Sequence, residues 1–219
     1  MRTARRAGET VPVALRERFV EIAGRILANE GEGNLTMRRV AAEAGCSTMM
    51  LYTLFGGKEG LVSQVHGECF RLLAHTLTED KPKVDPLARI LQLGHAYRTF
   101  ALQHPTLYLA VFSRSAEASD VPVGARRQAS PSFAPLVDAV RRAAEAGLLD
   151  EAIPSVMQAE LLWAVVHGYV SLELTGYFAG EEALAKRQFE LLLRACTDGF
   201  RAAPKSPRGV AATSKRRRR

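Results

Sequence analysis

Seven side chains between residues 36 and 58 are of types that can grip a phosphodiester backbone and touch the edges of bases: Thr36, Ser47, Thr48, Met49, Tyr52, Thr53 and Lys58. Hydroxyls, phenols and ammonium groups donate to phosphate oxygens, contacts that position a protein without reading sequence. An exposed methionine can make apolar contact with a thymine methyl, a role filled more often by Thr, Ala or Phe. In a helix Thr48, Met49, Tyr52 and Thr53 fall at i, i+1, i+4 and i+5 and share one face, while Met50, Leu51 and Phe55 point inward. Tyr52 can donate to a phosphate from that outer face, and Lys58 opens the following helix, where its charge can reach a backbone. Thr36 begins an earlier short helix, and helix N-termini attract anions. The opposing reading is an ordinary surface: across residues 36–64, Arg38, Arg39 and Lys58 meet Glu43 and Glu59, a local charge of only +1.

The elements that must position these groups read as a helix-turn-helix. "TMRRVAAEAG" is a short helix opened by Thr36 as N-cap and closed by Gly45. "STMMLYTLF" is a second short helix starting near Ser47. Val40, Ala41, Ala44, Cys46 and Leu51 pack the two together, and Gly45 supplies the left-handed backbone of the turn. Upstream, Leu15, Phe19, Ile22, Ile26 and Leu27 recur at helical spacing, and Gly31 marks a stop. After Gly56 and Gly57, "KEGLVSQVHGECFRLLAHTL" runs as a long amphipathic helix to about Leu77, and "EDKPKVDP" reads as a boundary. Further helices are predicted at 86–103, 105–113, 131–147, 155–179 and 182–202, with Pro86, Pro105, Pro131 and Pro154 at or just before four of the starts. Residues 113–130 form one long polar loop. No segment alternates as a strand does, so the fold class is all-α, with about nine helices.

Other chemistries find less support. Cys46, Cys69 and Cys196 are an odd number with no CxxC, as suits a reducing cytoplasm. His66 and Cys69 lie three apart on the long helix, but two ligands do not close a metal site. No Ser or Cys sits in a recognisable motif with a His, so a nucleophilic enzyme is not indicated. No cofactor is called for.

Tyr97, Phe100, Tyr108, Phe112, Trp163 and His167 can line an apolar pocket between helices, or serve as plain core. His167 can hydrogen-bond a ligand or simply satisfy a backbone carbonyl. Ala164, Gly168, Ser171 and Thr175 form a stripe of small side chains that lets another helix approach closely, either a second copy's or the chain's own last helix.

The chain has 219 residues, 47% hydrophobic and 24% charged, the composition of a soluble globular protein. It has no run of some eighteen apolar residues to span a membrane, and the N-terminus lacks the apolar stretch of a secretory signal. The net charge is +7, but residues 201–219 hold eight Lys and Arg and no acid. The other 200 residues hold 22 cations and 23 acids, a net charge of −1. The tail ending "SKRRRR" is compatible with a solvated end, with sequence-blind DNA affinity, or in a eukaryote with a nuclear address. The organisation expected is a disordered basic arm over 1–11, a helix-turn-helix domain over 12–78, a second helical domain over 85–203 and a disordered basic tail over 204–219.

"LTMRRVAAEAGCSTMMLYTLFGGKEGLV" closely resembles the DNA-binding domain of the TetR family of bacterial transcriptional regulators. The family pattern is a Thr-opened helix, an A-x-x-A-G-V-S turn and L-Y-x-x-F-x-x-K-x-x-L. Thr36, Val40, Ala41, Ala44, Gly45, Ser47, Leu51, Tyr52, Phe55, Lys58 and Leu61 fit it. Thr48 and Met49 depart from a frequent Lys or Arg followed by Gly, and Thr53 and Leu54 from frequent His residues, so base preference does not carry over. Trp163, His167 and Gly168 resemble the Trp-x-x-x-His-Gly element of the WHG subgroup. The resemblance implies a three-helix DNA-binding domain joined by a long helix to a C-terminal ligand-binding and dimerisation domain. It implies a homodimeric repressor on an inverted-repeat operator in double-stranded DNA, released by a small apolar effector. In the family the last two helices pair with their copies, which makes Ala164, Gly168, Ser171 and Thr175 the candidate interface. The alternative is a helical ligand-binding protein that has lost sequence-specific DNA binding.

Overall fold

The computed structural model describes residues 13–78, 85–112 and 131–202, which form nine α-helices and one 3-10 turn. The predicted N-terminal arm, polar loop and basic tail lie outside the described residues. Helix α1 (Val13–Glu30) buries Phe19, Ile22, Ile26 and Leu27 and ends at Gly31, whose φ of 80° lies in the left-handed region. A 3-10 turn (Glu32–Asn34) leads to α2 (Met37–Ala44) and α3 (Thr48–Phe55). Local capping fixes both short helices. Thr36 Oγ1 accepts from the Arg39 backbone N–H at 3.2 Å, and Ser47 Oγ from that of Met50 at 3.3 Å. Gly45, at φ 70°, closes α2 and turns the chain into α3.

Helix α4 (Lys58–Thr78) joins two cores. Its Leu61 and Val65 belong with Phe19, Ile26, Val40, Leu51 and Phe55, while Cys69, Leu73 and Leu77 belong to the second core. That core is built from α5 (Pro86–Gln103), α6 (Pro105–Phe112), α7 (Ala134–Glu145), α8 (Ser155–Leu174) and α9 (Glu182–Asp198). Asp85 caps α5 through Ala88 N–H at 3.0 Å, with Pro86 in the first turn. Among the described residues no helix is long and apolar enough to cross a membrane.

Three predicted helices differ from the structure in their bounds. Residues 131–133 form a turn, so α7 starts at Ala134 with Pro135 in its first turn, and it ends at Glu145 ahead of Gly147 at φ 69°. Helix α8 stops at Leu174 rather than 179, because Gly176 and Gly180 adopt φ of 85° and 82° and turn the chain toward α9. Helix α9 ends at Asp198 rather than 202, where tertiary pairing takes over from the helix. Asp150 N–H donates to the Phe200 carbonyl at 2.8 Å and Ala202 N–H to that of Leu148 at 3.3 Å, which staples the chain to the α7–α8 turn.

Candidate nucleic-acid interface and regulatory cluster

On α3 the two adjacent methionines part as their spacing predicts. Met49 is 74% exposed and Tyr52 53% exposed, while Leu51 is fully buried and Met50 packs against the core. Phe55 is anchored edge-on by Phe19, ring centroids 5.9 Å apart. Thr48 and Thr53 are exposed on the same side as Met49 and Tyr52, but Thr53 Oγ1 donates to the Met49 carbonyl at 2.9 Å. Its hydroxyl is therefore tied to its own helix. Thr36 and Ser47 hold the N-termini of α2 and α3 through their caps, and both are open to solvent or partly so.

Lys58 is engaged inside the domain. Its Nζ donates to the Glu32 carbonyl at 2.7 Å and stands 3.7 Å from the Glu32 carboxylate, binding the 3-10 turn to the start of α4. The two neighbouring arginines of α2 have different fates that the sequence does not separate. Arg39 forks onto Glu30 at 2.6 and 2.7 Å and reaches Glu43 at 3.0 Å, and Arg25 pairs with Glu43 as well. The hydrogen bond to Arg39 holds the Glu30 carboxyl below its usual range. Arg38 is exposed beside Thr36 and is a backbone-contact candidate that periodicity alone did not single out.

In the second domain a hydrogen-bonded chain links α5, α6 and α8. Tyr97 Oη donates to Tyr108 Oη at 3.3 Å, and His167 Nδ1 lies 2.7 Å from Tyr108 Oη and 3.0 Å from Tyr97 Oη. With the Tyr97 hydroxyl proton given to Tyr108, the direction of the two bonds to Nδ1 is set by the tautomer of His167. Trp163 stacks on His167 with ring centroids 4.8 Å apart, and Phe112 meets the same imidazole at 5.1 Å. Burial pushes the Tyr97 phenol well above its ordinary range and raises Tyr108 too. Five of the six predicted lining residues thus converge. Phe100 does not: it is fully buried against the His104 ring at 5.3 Å.

Ser171 also departs from the reading as part of an outward stripe. It is half-buried, with its Oγ 3.5 Å from Tyr108 Oη. Ala164, Gly168 and Thr175 are exposed, as are Met157, Leu161 and Leu172 of the same helix and Leu184 and Leu191 of α9. Packing between α8, α9 and the core is supplied by Leu162, Val166, Val170, Phe189 and Leu193. An ion pair that the sequence did not reveal, Arg98 of α5 with Glu173 of α8, is mostly buried and lies beside Phe189.

Helix α6 belongs to both halves. Tyr108 and Val111 sit in the second core, Ala110 sits in the first, and Leu107 touches both. Leu107 Cδ2 would be 3.6 Å from a Cβ placed on Gly24 of α1, so α6 rests closely on the helix that supports the helix-turn-helix.

An exposed, doubly capped recognition helix on a small helical core, coupled to a second helical domain with a polar cluster, defines a DNA-binding regulator of the helix-turn-helix class. Residues 20–65 match the family described as "Bacterial regulatory proteins, tetR family", and residues 90–196 match "Tetracyclin repressor-like, C-terminal domain". The chain belongs to the TetR family of transcriptional regulators, which bind DNA and are not enzymes. It is 29% identical over 162 residues to the HTH-type transcriptional repressor SCO4008 of Streptomyces coelicolor, spanning 71% of this chain and 80% of that one. Its fold is similar to a tetR-family regulatory protein from Rhodococcus RHA1, with TM-score 0.68, 19% identity and coverage of 88% and 100% of the two chains. A TetR-family regulator from Marinobacter aquaeolei VT8 gives TM-score 0.67 and 21% identity, over 87% of this chain and 97% of that one.

Proposed function

We propose that the protein is a cytoplasmic, ligand-responsive repressor that binds an inverted-repeat operator as a homodimer. The observation that carries this is the double membership of α6: its Tyr108 closes the Tyr97–His167 cluster, while Leu107 and Ala110 pack on the DNA-binding half. A small, largely apolar molecule that inserts among Trp163, His167, Tyr97 and Phe112 displaces Tyr108, shifts α6 against Gly24 of α1 and changes the separation of the two α3 helices. Such coupling is worth about 1–3 kcal/mol in typical cases, enough for a ~5–150-fold change in DNA affinity. Trp163, His167 and Gly168 support placement in the WHG subgroup.

The homodimer uses the face of Leu161, Ala164, Gly168 and Leu172 on α8 with Leu184 and Leu191 on α9, all of them exposed in one copy. A two-fold dimer presents two copies of α3 and demands inverted half-sites. Met49 and Tyr52 read the groove, with Thr48 beside them, and Thr36, Ser47 and Arg38 meet the backbone. Lys58 acts by holding the turn at Glu32 against α4 until a phosphate competes for its ammonium.

The test is to isolate operator fragments, then titrate candidate effectors against the protein–operator complex and against Tyr108→Phe. Effectors that release the parent protein but leave the variant's affinity unchanged support the α6 route. Equal release from both would remove Tyr108 from it.

A further inference from the structure

The outward face of α3 is made of Thr48, Met49, Tyr52 and Thr53, while Leu51 and Phe55 are buried and Met50 and Leu54 pack against the core. None of the four is charged and none is an amide. Yet the paired hydrogen bonds that single out one base need such groups: Arg or Lys on guanine, Asn or Gln on adenine, a carboxylate on cytosine. Helix α3 carries none of them anywhere along its length. Cations on the adjoining elements do not fill the gap. Arg39 is forked onto Glu30 and bonded to Glu43, Arg25 pairs with Glu43, and Lys58 is held by the Glu32 carbonyl. Arg38 is exposed, but it stands at the start of α2 beside Thr36.

What α3 offers instead is largely apolar. Met49, at 74% exposure, is the most exposed large hydrophobic side chain of this domain among the described residues. Thr53 gives its only hydroxyl proton to the Met49 carbonyl at 2.9 Å, so its methyl is the group it has left to present. Thr48 and Tyr52 each keep one hydroxyl, which can give or take a hydrogen bond and so tells bases apart poorly. Thymine's C5-methyl is the apolar group on a base edge in the major groove. A flexible, polarizable thioether adapts its shape to such a target.

We infer that α3 reads thymine methyls: Met49 and the methyl of Thr53 pack on C5-methyl groups in the major groove of each half-site. These contacts, rather than paired hydrogen bonds to guanine or adenine, supply the sequence preference of the helix. The inference names the chemistry of the operator, and it rests on the reading of α3 as the helix that binds one.

The experiment uses a library of duplexes with a randomised core of about 30 bp, room for two half-sites one or two helical turns apart. It is amplified once with thymidine triphosphate and once with deoxyuridine triphosphate, since uracil pairs as thymine does and lacks only the methyl. The full chain selects from each library at roughly 150–200 mM salt. The expected result is an inverted repeat with thymines at enriched positions from the first library, and loss of that repeat from the second. An enriched duplex is then made with uracil at one thymine at a time. It is titrated with the parent, with Met49→Ala and with Thr53→Ser, which keeps the hydroxyl bonded to the Met49 carbonyl and drops the methyl. Burying one methyl is worth about fourfold in affinity, so a contacted thymine shows a uracil penalty of about fourfold, or about sixteenfold when its symmetry mate is changed too. At each such thymine the penalty disappears in one of the two variants. The same motif from both libraries overturns the inference while leaving operator binding intact. So does a uracil penalty that both variants keep, since the methyls then act through DNA shape. No motif from either library, with protein that circular dichroism shows to be folded, overturns operator binding and the inference with it.

Discussion

Replacing Gly60 by Ala tests the junction that aims the recognition helix. Gly60 lies in the first turn of α4, and a Cβ built on it falls 1.8 Å from the Phe55 carbonyl oxygen at the end of α3 and 2.9 Å from the carbonyl carbon. Backbone must move by more than about 1 Å to restore ordinary contact, and no side-chain rotamer can absorb it. Overpacking of this kind costs about 1–3 kcal/mol and sometimes more. The helix propensity of Ala over Gly returns about 1 kcal/mol. With the cost at the top of that range, because backbone rather than a rotamer must move, the net loss is about 2 kcal/mol, which lowers Tm by ~4–8 °C in a chain of this size. Gly67, seven residues further along the same helix, is the control: a Cβ there meets nothing within 4 Å. Gly67→Ala gains up to about 1 kcal/mol. Because the strain falls between α3 and α4, Gly60→Ala also weakens DNA binding, read by fluorescence anisotropy at a temperature where circular dichroism shows the variant folded. A Gly60→Ala protein that melts with or above Gly67→Ala and keeps full DNA affinity would refute the reasoning.

Ser47→Ala removes the cap of α3 and costs about 1 kcal/mol in thermal or urea unfolding; a neutral result would mean the Ser47–Met50 bond carries nothing. Leu172→Glu with Leu191→Glu places charge on the exposed apolar face of α8 and α9. Light scattering is expected to report monomers, with operator affinity down by roughly 10²-fold or more as the second half-site is lost, whereas a dimer that persists would move the interface elsewhere. Burial raises the Cys69 thiol to about 12. Its folded-state value therefore exceeds the unfolded one, so its contribution is complete below about pH 8.5 and is lost as pH rises toward 12. Urea unfolding from pH 8 to 11 is expected to show falling stability, with a shallower fall in Cys69→Ala. The same burial protects the thiol: at pH 8 a thiol reagent modifies Cys46 and Cys196 in the folded protein well before Cys69.

What the sequence made legible was local. The caps at Thr36 and Ser47 and the left-handed glycine at 45 each rest on contacts within a few residues, and so does the division of Met49 from Met50. The aromatic cluster was legible in membership, since Trp163 and His167 share a helix face, but not in wiring. Tyr108 and His167 are 59 residues apart and Tyr97 and His167 are 70 apart, so only the packing of α5, α6 and α8 could bring them together. Phe100 and Ser171 show the same limit. Both fit a periodic pattern, yet α5 turns the first toward His104 and the Tyr108 hydroxyl draws the second away from the outer stripe. The ends of α8 and α9 were overrun for a related reason: a good helix former continues a pattern until a glycine turn or a tertiary hydrogen bond stops it. Partner choice among charges was hidden altogether. Nothing in "MRRV" tells that Arg39 is committed to Glu30 and Glu43 while Arg38 faces solvent.

The central claim is that the exposed face of α3 reads a defined DNA sequence twice, once per copy. Its most direct test is to mix the protein with fragmented genomic DNA of its host at roughly 150–200 mM salt, where electrostatic binding is suppressed, and to sequence what is retained. Met49→Ala with Tyr52→Ala is the paired variant, since both side chains are exposed and neither holds the fold together, unlike Lys58. The account predicts an inverted repeat whose enrichment disappears in that variant. An enriched motif unaffected by the two changes, or no motif from folded, dimeric protein, would contradict it.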